Sequence, residues 1–571
     1  MDNKKRNWYQ NDPIMQRYFR QHLSHLKDWG EERLYQLGEY CAGPMEERAQ
    51  YTDRDGAPKL IRYNRQGEEI NEIWYNEGYL QTVGDCYELG VVGWRYREDV
   101  PCKIPFFYTQ LMFMLMSKAE VGFTCPVTLT MSVAFVIEKY ATEEQRKEFL
   151  PHLASMNRET LHQGATFLTE IQGGSDVGSV TTKAVKNGDH YLLTGEKWFA
   201  SNCDADGALI LARTGETLGT KGLSLFYLPN KLKDGSKNHV SIRRLKDKLG
   251  VRAVASGELI LQDAVGYLIG KEQEGFKLMA EALNVSRMCT STGSLAISQR
   301  AFSEAITYAT ERHTFGHSLI SYPMIRESLL NMMVDIEANW TLVAQMLIHF
   351  DRVHTTQEDS SSATTTLLRC LLAMTKVKCS EQSVLHAKEV LEMHGGNGYI
   401  EEYVTPRLLR DAQVNTVWEG ATNIMALEFW KNMCRNQPDT NQNILFRFLS
   451  NILNEISLPE YAEERDITWQ ELQKVSSQFD YLVQADHLTQ QAHALHFLTS
   501  VTQLTCVIFL MQQAENGWKQ DHETRMIKVA KYYCNRAYRP ELYEIGSSCI
   551  PSVEYFDEIV SDFMEGTLIN V

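Results

Sequence analysis

The chain has 571 residues and a formal net charge of −16, with 43% hydrophobic and 23% charged residues. That length is too great for one core and predicts three or four domains of ordinary globular composition. The negative balance argues against a broad nucleic-acid-binding surface, while leaving room for a local basic patch.

The first residues, Met1 to Trp8, lead into polar sequence without an apolar core, so no signal peptide is expected. No run of about 18 apolar residues is evident, so no membrane span is expected either. The twelve cysteines are scattered, with no C-x-x-C pair, and the closest two are Cys370 and Cys379. That spacing suits reduced thiols better than a disulfide frame or a zinc site, and makes the cytoplasm the default location.

Residues 1–162 read mostly as helix. Thr142-Glu143-Glu144-Gln145 opens an amphipathic segment with a good N-cap and early acids. Residues 163–270 read as a β domain, with strands at Tyr191–Gly195 and Ala208–Arg213 between turns rich in glycine, asparagine and aspartate. Helical periodicity returns over residues 271–437, in segments at about 273–311, 322–356, 363–395 and 420–434. Four such helices suffice for a bundle. The polar run Thr356–Ser362 marks a loop between two of them, and Arg435–Asn441 reads as a linker. Residues 438–571 form a further helical extension. From residue 441 onward it carries nine Lys plus Arg against eighteen Asp plus Glu, and Lys528, Lys531, Arg536 and Arg539 are its one basic concentration.

Five short segments carry potential chemistry. Leu168-Thr169-Glu170-Ile171-Gln172-Gly173-Gly174-Ser175-Asp176 is a tight turn with exposed amides and hydroxyls, able to bond a flat heterocycle or a phosphate. Read alone, it is more simply an ordinary loop at a strand start. Gly195-Glu196-Lys197-Trp198-Phe199-Ala200-Ser201-Asn202 places adjacent aromatics on opposite faces of a strand. One ring could cover a planar cofactor, with Ser201 on the face of Phe199; the plainer reading is two core rings. Glu311-Arg312-His313-Thr314-Phe315-Gly316 ends a long helix, where Arg312 suits either a pyrophosphate or its helix's last carbonyls. His394-Gly395-Gly396-Asn397-Gly398-Tyr399 is a turn that lets a backbone approach a ligand closely. Arg410-Asp411-Ala412 leads to Trp418-Glu419-Gly420, where an aromatic ring and a glycine flank a lone carboxylate. Poor hydration there would raise the Glu419 pKa toward the range of a general base. The histidine pairs His22/His25 and His493/His496 lack Cys or acidic partners at ligand spacing, so no metal site is expected.

In this order the five segments resemble the acyl-CoA dehydrogenase family over about residues 120 to 435. Within it the chain is most similar to the AidB-like branch, flavoproteins associated with the alkylation response. That narrower likeness rests on Gln172–Asp176, Lys197-Trp198-Phe199, Asn423 after Trp418-Glu419-Gly420, and the C-terminal extension. The resemblance implies a mostly α fold with a central β-barrel or sandwich, an N-terminal helical domain, a four-helix bundle and an extra C-terminal helical region. It implies FAD as cofactor, an acyl-CoA substrate, and a homo-oligomer, dimer or tetramer, in which dinucleotide sites are shared between subunits. By the same resemblance Leu168, Thr169, Gly174 and Ser175 would face the flavin and its phosphates, Phe199 and Ser201 would lie against its rings, and Asn423 would join the cofactor site. Arg312, Phe315, Glu392, Gly395 and Gly396 would reach a neighbour's dinucleotide.

The family reaction removes the proton α to a thioester carbonyl and passes the β hydride to flavin N5. Glu419 would be the base. In other members the base precedes an arginine on a helix, which here reads Asn284-Val285-Ser286-Arg287, and Ser286 cannot serve. Arg287 is a substrate-binding candidate. Ala421 stands where many relatives carry a hydroxyl. The leading expectation is an FAD-dependent dehydrogenase of a short or branched acyl-CoA, with an electron-transferring flavoprotein as its acceptor. Two alternatives stay open: an AidB-like flavoprotein of weak activity with a nucleic-acid or alkylation-response role, and an acyl-CoA oxidase.

Overall fold

The structure, a computed structural model, describes residues 7–356, 362–435, 443–560 and 563. Of the loop expected at Thr356–Ser362, residues 357–361 lie outside the described residues, as do residues 436–441 of the linker expected at Arg435–Asn441. The chain packs as two compact units. Asn7–Trp8 and His25–Cys289 make one; Tyr9–Ser24 and the described residues from Thr290 onward make the other.

Helix α1 (Pro13–His22) belongs to the second unit. The first unit then carries α2 (Lys27–Tyr40), α3 (Glu46–Arg54), α4 (Glu77–Glu88), α5 (Phe106–Ala119), α6 (Val121–Tyr140) and α7 (Glu143–Leu153). Every residue of α5 is buried, as expected of a helix apolar on all sides. Helix α7 starts where its capping signal predicts: Gln145 N–H donates to Thr142 Oγ1 at 3.2 Å, and Thr142 N–H donates to Gln145 Oε1 at 3.0 Å. Between α3 and α4 stands a hairpin of β1 (Lys59–Tyr63) and β2 (Glu69–Trp74) that the helical reading did not include. None of its residues is fully buried, so it shows no apolar alternation.

The central sheet is built from β3 (Gly164–Phe167), β4 (Lys183–Asn187), β5 (His190–Ser201), β6 (Gly207–Arg213), β7 (Leu223–Pro229), β8 (Val240–Leu245) and β9 (Ser256–Ile269). Strand β6 pairs with β4 and β7, β4 with β5, β5 with β9, and β9 with β7, so the ladder closes into a ring. Strand β8 lies outside this ring, paired with β9. Strand β3 runs parallel to β6 and delivers the chain to Leu168.

Helix α8 (Gly275–Glu311) leads into the second unit. It is followed by the two-residue strands β10 (His313–Thr314) and β11 (His317–Ser318), then α9 (Pro323–Thr356), α10 (Ala363–Met393), α11 (Thr405–Asn415) and α12 (Thr422–Cys434). The four long helices match the expected segments to within about two residues at each end. The extension adds α13 (Ile444–Glu455), α14 (Ala462–Gln484), α15 (His487–Asp521), α16 (Arg525–Tyr538) and the short α17 (Pro551–Glu554). Helix α15 packs on α9 and α12, tying the extension to the bundle. Glu337 on α9, fully buried, is held by Arg17 of α1 and by Arg525 of α16, the latter at 2.5 Å. Burial pushes its carboxyl up, but the two guanidiniums more than reverse this and leave it below the usual range.

Two helices, Val121–Tyr140 and His487–Asp521, are long and apolar enough to cross a membrane by length and composition, contrary to the expectation of no such stretch. Both are largely buried inside the protein, so their apolar surface is spent on packing. All twelve cysteines are free thiols.

Candidate active site

The segment 168–175 is built around a carboxylate. Glu170 is 2% exposed and accepts from Lys197 Nζ at 2.8 Å, from the Thr181 and Thr182 amides at 2.8 and 3.1 Å, and from both threonine hydroxyls. Lys197, fully buried, also donates to the Leu211 carbonyl at 3.2 Å. Burial pushes the Glu170 carboxyl up, yet the Lys197 ammonium and these donors bring it down to about 2. Burial pushes the Lys197 ammonium down, and the Glu170 carboxylate beside it works in the opposite direction. The outcome is a fixed turn. Leu168 and Thr169 are half-buried, Ser175 is exposed, and Trp198 N–H donates to the Thr169 carbonyl at 2.9 Å, joining the turn to β5. A β-carbon at Gly174 would stand 2.5 Å from Thr169 Oγ1, so glycine is what lets these two residues approach.

On β5, Phe199 is 52% exposed. The pairing with β9 slips between Lys197 and Ala200, a bulge at Trp198-Phe199. Strict alternation fails there, and one cation reaches both rings: Lys246 Nζ lies 3.3 Å from the Trp198 ring centre and 4.9 Å from that of Phe199. Lys246 is fixed by Glu258 at 2.6 Å. Ser201 is half-buried, its hydroxyl 3.0 Å from that of Ser256. Sequence reading missed Lys246 because no local signal links it to β5.

The Glu419 segment lies in the other unit. Helix α11 buries Asp411, Ala412 and Asn415, then closes with Val417 and Trp418 N–H groups on the Val414 carbonyl at 2.8 and 3.0 Å. Glu419 follows in the left-handed region at φ 58°, and Gly420 at φ 106°. A glutamate there is uncommon and is held only by firm surroundings. The residue is half-buried, and its Oε2 is shielded from solvent, so the side chain does not point freely into water. Asn423 is exposed in the first turn of α12.

Arg312 and Phe315 sit at the end of α8. Tyr308 stacks on His394 at 4.0 Å and donates to its carbonyl at 3.2 Å, which ties this end of α8 to the 395–399 turn. Gly395 and Gly396 are exposed, as is Glu392, which pairs with Lys388 at 2.7 Å. Arg312 is exposed and makes no side-chain hydrogen bond or ion pair among the described residues, so it does not cap its own helix. Phe315 and Gly316 form the two-residue tip of the β10–β11 hairpin, at φ 50° and 87°. Phe315 is 96% exposed. Such tips favour Asn-Gly, so a bare phenylalanine there has no folding rationale.

Arg287 is buried on α8 near Asn284 Oδ1, at 3.5 Å, and so is no surface salt bridge. Ser286 faces α6, its hydroxyl 3.1 Å from that of Ser132. The four cations of the extension are all engaged: Lys528 with Glu558, Lys531 with Glu464 at 3.7 Å, Arg536 with Asp335, and Arg539 with Glu463. Among the described residues there is no His/Cys/Asp/Glu cluster able to hold a metal ion.

Three family models match the chain: the acyl-CoA dehydrogenase C-terminal domain over residues 273–433, the acyl-CoA dehydrogenase middle domain over 165–264, and the adaptive response protein AidB N-terminal domain over 2–159. The putative acyl-CoA dehydrogenase AidB of Escherichia coli (strain K12) is 33% identical over 380 residues, covering 65% of this chain and 68% of that protein. The structure of Caenorhabditis elegans ACDH-11 in complex with C11-CoA superposes with a TM-score of 0.85 at 26% identity, over 92% of this chain and 91% of that one. An acyl-CoA dehydrogenase complexed with FAD from Bacillus anthracis shares the fold, with a TM-score of 0.71 at 23% identity over 87% of this chain and 83% of that one. The chain belongs to the acyl-CoA dehydrogenase family, in its AidB-like branch.

Proposed function

We propose that the protein is an FAD-dependent acyl-CoA dehydrogenase in which Glu419 takes the α proton of the thioester. The observation that carries this is the Glu419 turn: a half-buried carboxylate on a backbone conformation that glutamate rarely adopts. A family site residue held in strain is better accounted for by chemistry than by packing.

The residues present fit the cofactor. The 168–175 turn offers the hydroxyls of Thr169 and Ser175 beside a close backbone approach at Gly174, and Phe199 offers an exposed ring. A flat heterocycle with carbonyl and phosphate oxygens needs such a donor set. Bound FAD supplies the acceptor for the hydride that leaves the β carbon. Glu419 receives the α proton, so a C–H bond breaks at each carbon and the double bond forms between them. Buried Arg287 is the substrate-binding candidate.

The substrate class is an acyl-CoA, with a short or branched acyl group as the starting expectation. The C11-CoA complex of the similar worm protein extends the test to longer chains. Exposed Arg312 and Phe315 support a homo-oligomer in which these residues serve a second copy's dinucleotide site. An electron-transferring flavoprotein is the proposed acceptor and the cytoplasm the proposed location, the latter supported by the free thiols.

Anaerobic mixing of the flavin-loaded protein with acyl-CoA thioesters of graded length tests the reading. Bleaching of the flavin band by at least one of them is expected; no bleaching by any rejects it. Peroxide formed under air would identify an oxidase instead. The engaged cations of the extension weigh against the nucleic-acid alternative. Duplex DNA binding with a steep salt dependence would restore it.

A further inference from the structure

We infer that Lys376 is a positioning residue for Glu419: its buried ammonium holds the left-handed Glu419–Gly420 turn against α10. The inference rests on reading Glu419 as the base.

Lys376 lies within α10 and is 0% exposed. Its Nζ donates to the Gly420 carbonyl at 2.6 Å, across 44 residues of sequence. Taking an ammonium out of water is costly, and a methionine or leucine would fill the same space without that cost. The charge-assisted bond to this carbonyl is the contact that ties the ammonium to the turn.

The geometry supplies one. On its near side the turn is closed by the Val417 and Trp418 amides on Val414, and on its far side by the Met425 amide on the Ala421 carbonyl. Glu419 and Gly420 lie between these two regular helical closures, with φ of 58° and 106°. A glutamate relaxes out of the left-handed region unless its neighbours prevent it. The Gly420 carbonyl begins the peptide that leads out of the turn, and Lys376 pins that carbonyl to the long bundle helix. Losing the bond would free the glutamate to swing while leaving the fold of α10 and α11 in place. A reacting group misplaced by about 1 Å can lose on the order of 100-fold in rate.

The test uses full-length flavin-loaded protein and a thioester that bleaches the wild type. Lys376→Met, Lys376→Arg and Glu419→Gln are compared for flavin content, melting temperature, acyl-CoA affinity and the single-turnover rate of flavin reduction. The expected result is that Lys376→Met keeps its flavin and its acyl-CoA affinity but is reduced about 10–100-fold more slowly, and that Lys376→Arg recovers most of the rate. A Lys376→Met variant reduced at the wild-type rate, beside an inert Glu419→Gln, overturns the role of Lys376 and leaves the base in place. Slower reduction in proportion to lost flavin, affinity and melting temperature also overturns it, as a general structural role. Wild-type reduction of Glu419→Gln removes the base assignment itself, and this inference with it. If Lys376→Met does not fold, Lys376→Gln is read in the same way.

Discussion

Glu170 and Glu419 each stand in a short glycine-containing turn that follows a regular element, and their surroundings differ in kind. Glu170 is sealed from water and saturated: a lysine, two amides and two hydroxyls all point at it, and burial costs are met by bonds. Glu419 is half-buried, with one oxygen shielded, on a backbone that works against it. The first carboxylate gives up reactivity to fix a shape; the second accepts strain and keeps partial access. The difference teaches that a glutamate in a family motif can serve to fix a turn, and that its burial and backbone conformation distinguish the two.

The comparison can be sharpened first at Glu170. Replacing it with glutamine leaves Lys197 buried without its counter-ion, and should cost about 3–5 kcal/mol in a denaturant titration. Adding Lys197→Met should return a large part of that loss, since an apolar pair carries no buried charge. A Glu170→Gln variant as stable as the wild type would break the contrast. Acid provides a gentler version. The Glu170 carboxyl is depressed from 4.5 to about 2, so its contribution is fully present above pH 4.5 and fades as pH falls toward 2. Acid unfolding should show the Glu170→Gln variant less sensitive than the wild type in that window.

Much of this arrangement was legible in the sequence. Long helices announced themselves as extended segments with few interior breakers, and α7 declared its start through Thr142 and Gln145. The motif residues were legible because each is a local cluster of unusual types. What was hidden depends on distance or on weak pattern. Lys376 and Gly420 meet across 44 residues, and Lys246 reaches β5 from another strand. The hairpin at 59–74 buries no face, and the bulge at Trp198-Phe199 overturns the alternation its sequence implies. The β10–β11 tip was concealed by Phe315 standing where asparagine is usual.

Smaller effects belong to the exposed parts. Gly174→Ala should disturb Thr169 and weaken flavin retention, measured as cofactor lost on dilution, while changing the melting temperature of the flavin-free protein little. Phe315→Asn relieves a left-handed phenylalanine and should stabilise an isolated subunit by up to about 1 kcal/mol. If Phe315 serves a second copy, the same variant should shift the oligomer toward smaller species in sedimentation. An unchanged oligomer would confine Phe315 to its own chain.

The central contrast is tested most directly by stopped-flow flavin reduction of Glu419→Gln and Glu170→Gln side by side, with melting curves on the same samples. The account predicts that Glu419→Gln stays yellow, melts with the wild type and is reduced at least about 100-fold more slowly, whereas Glu170→Gln melts earlier but is reduced normally wherever it retains flavin. Rapid reduction of Glu419→Gln, or a fully loaded Glu170→Gln that cannot be reduced, would contradict it.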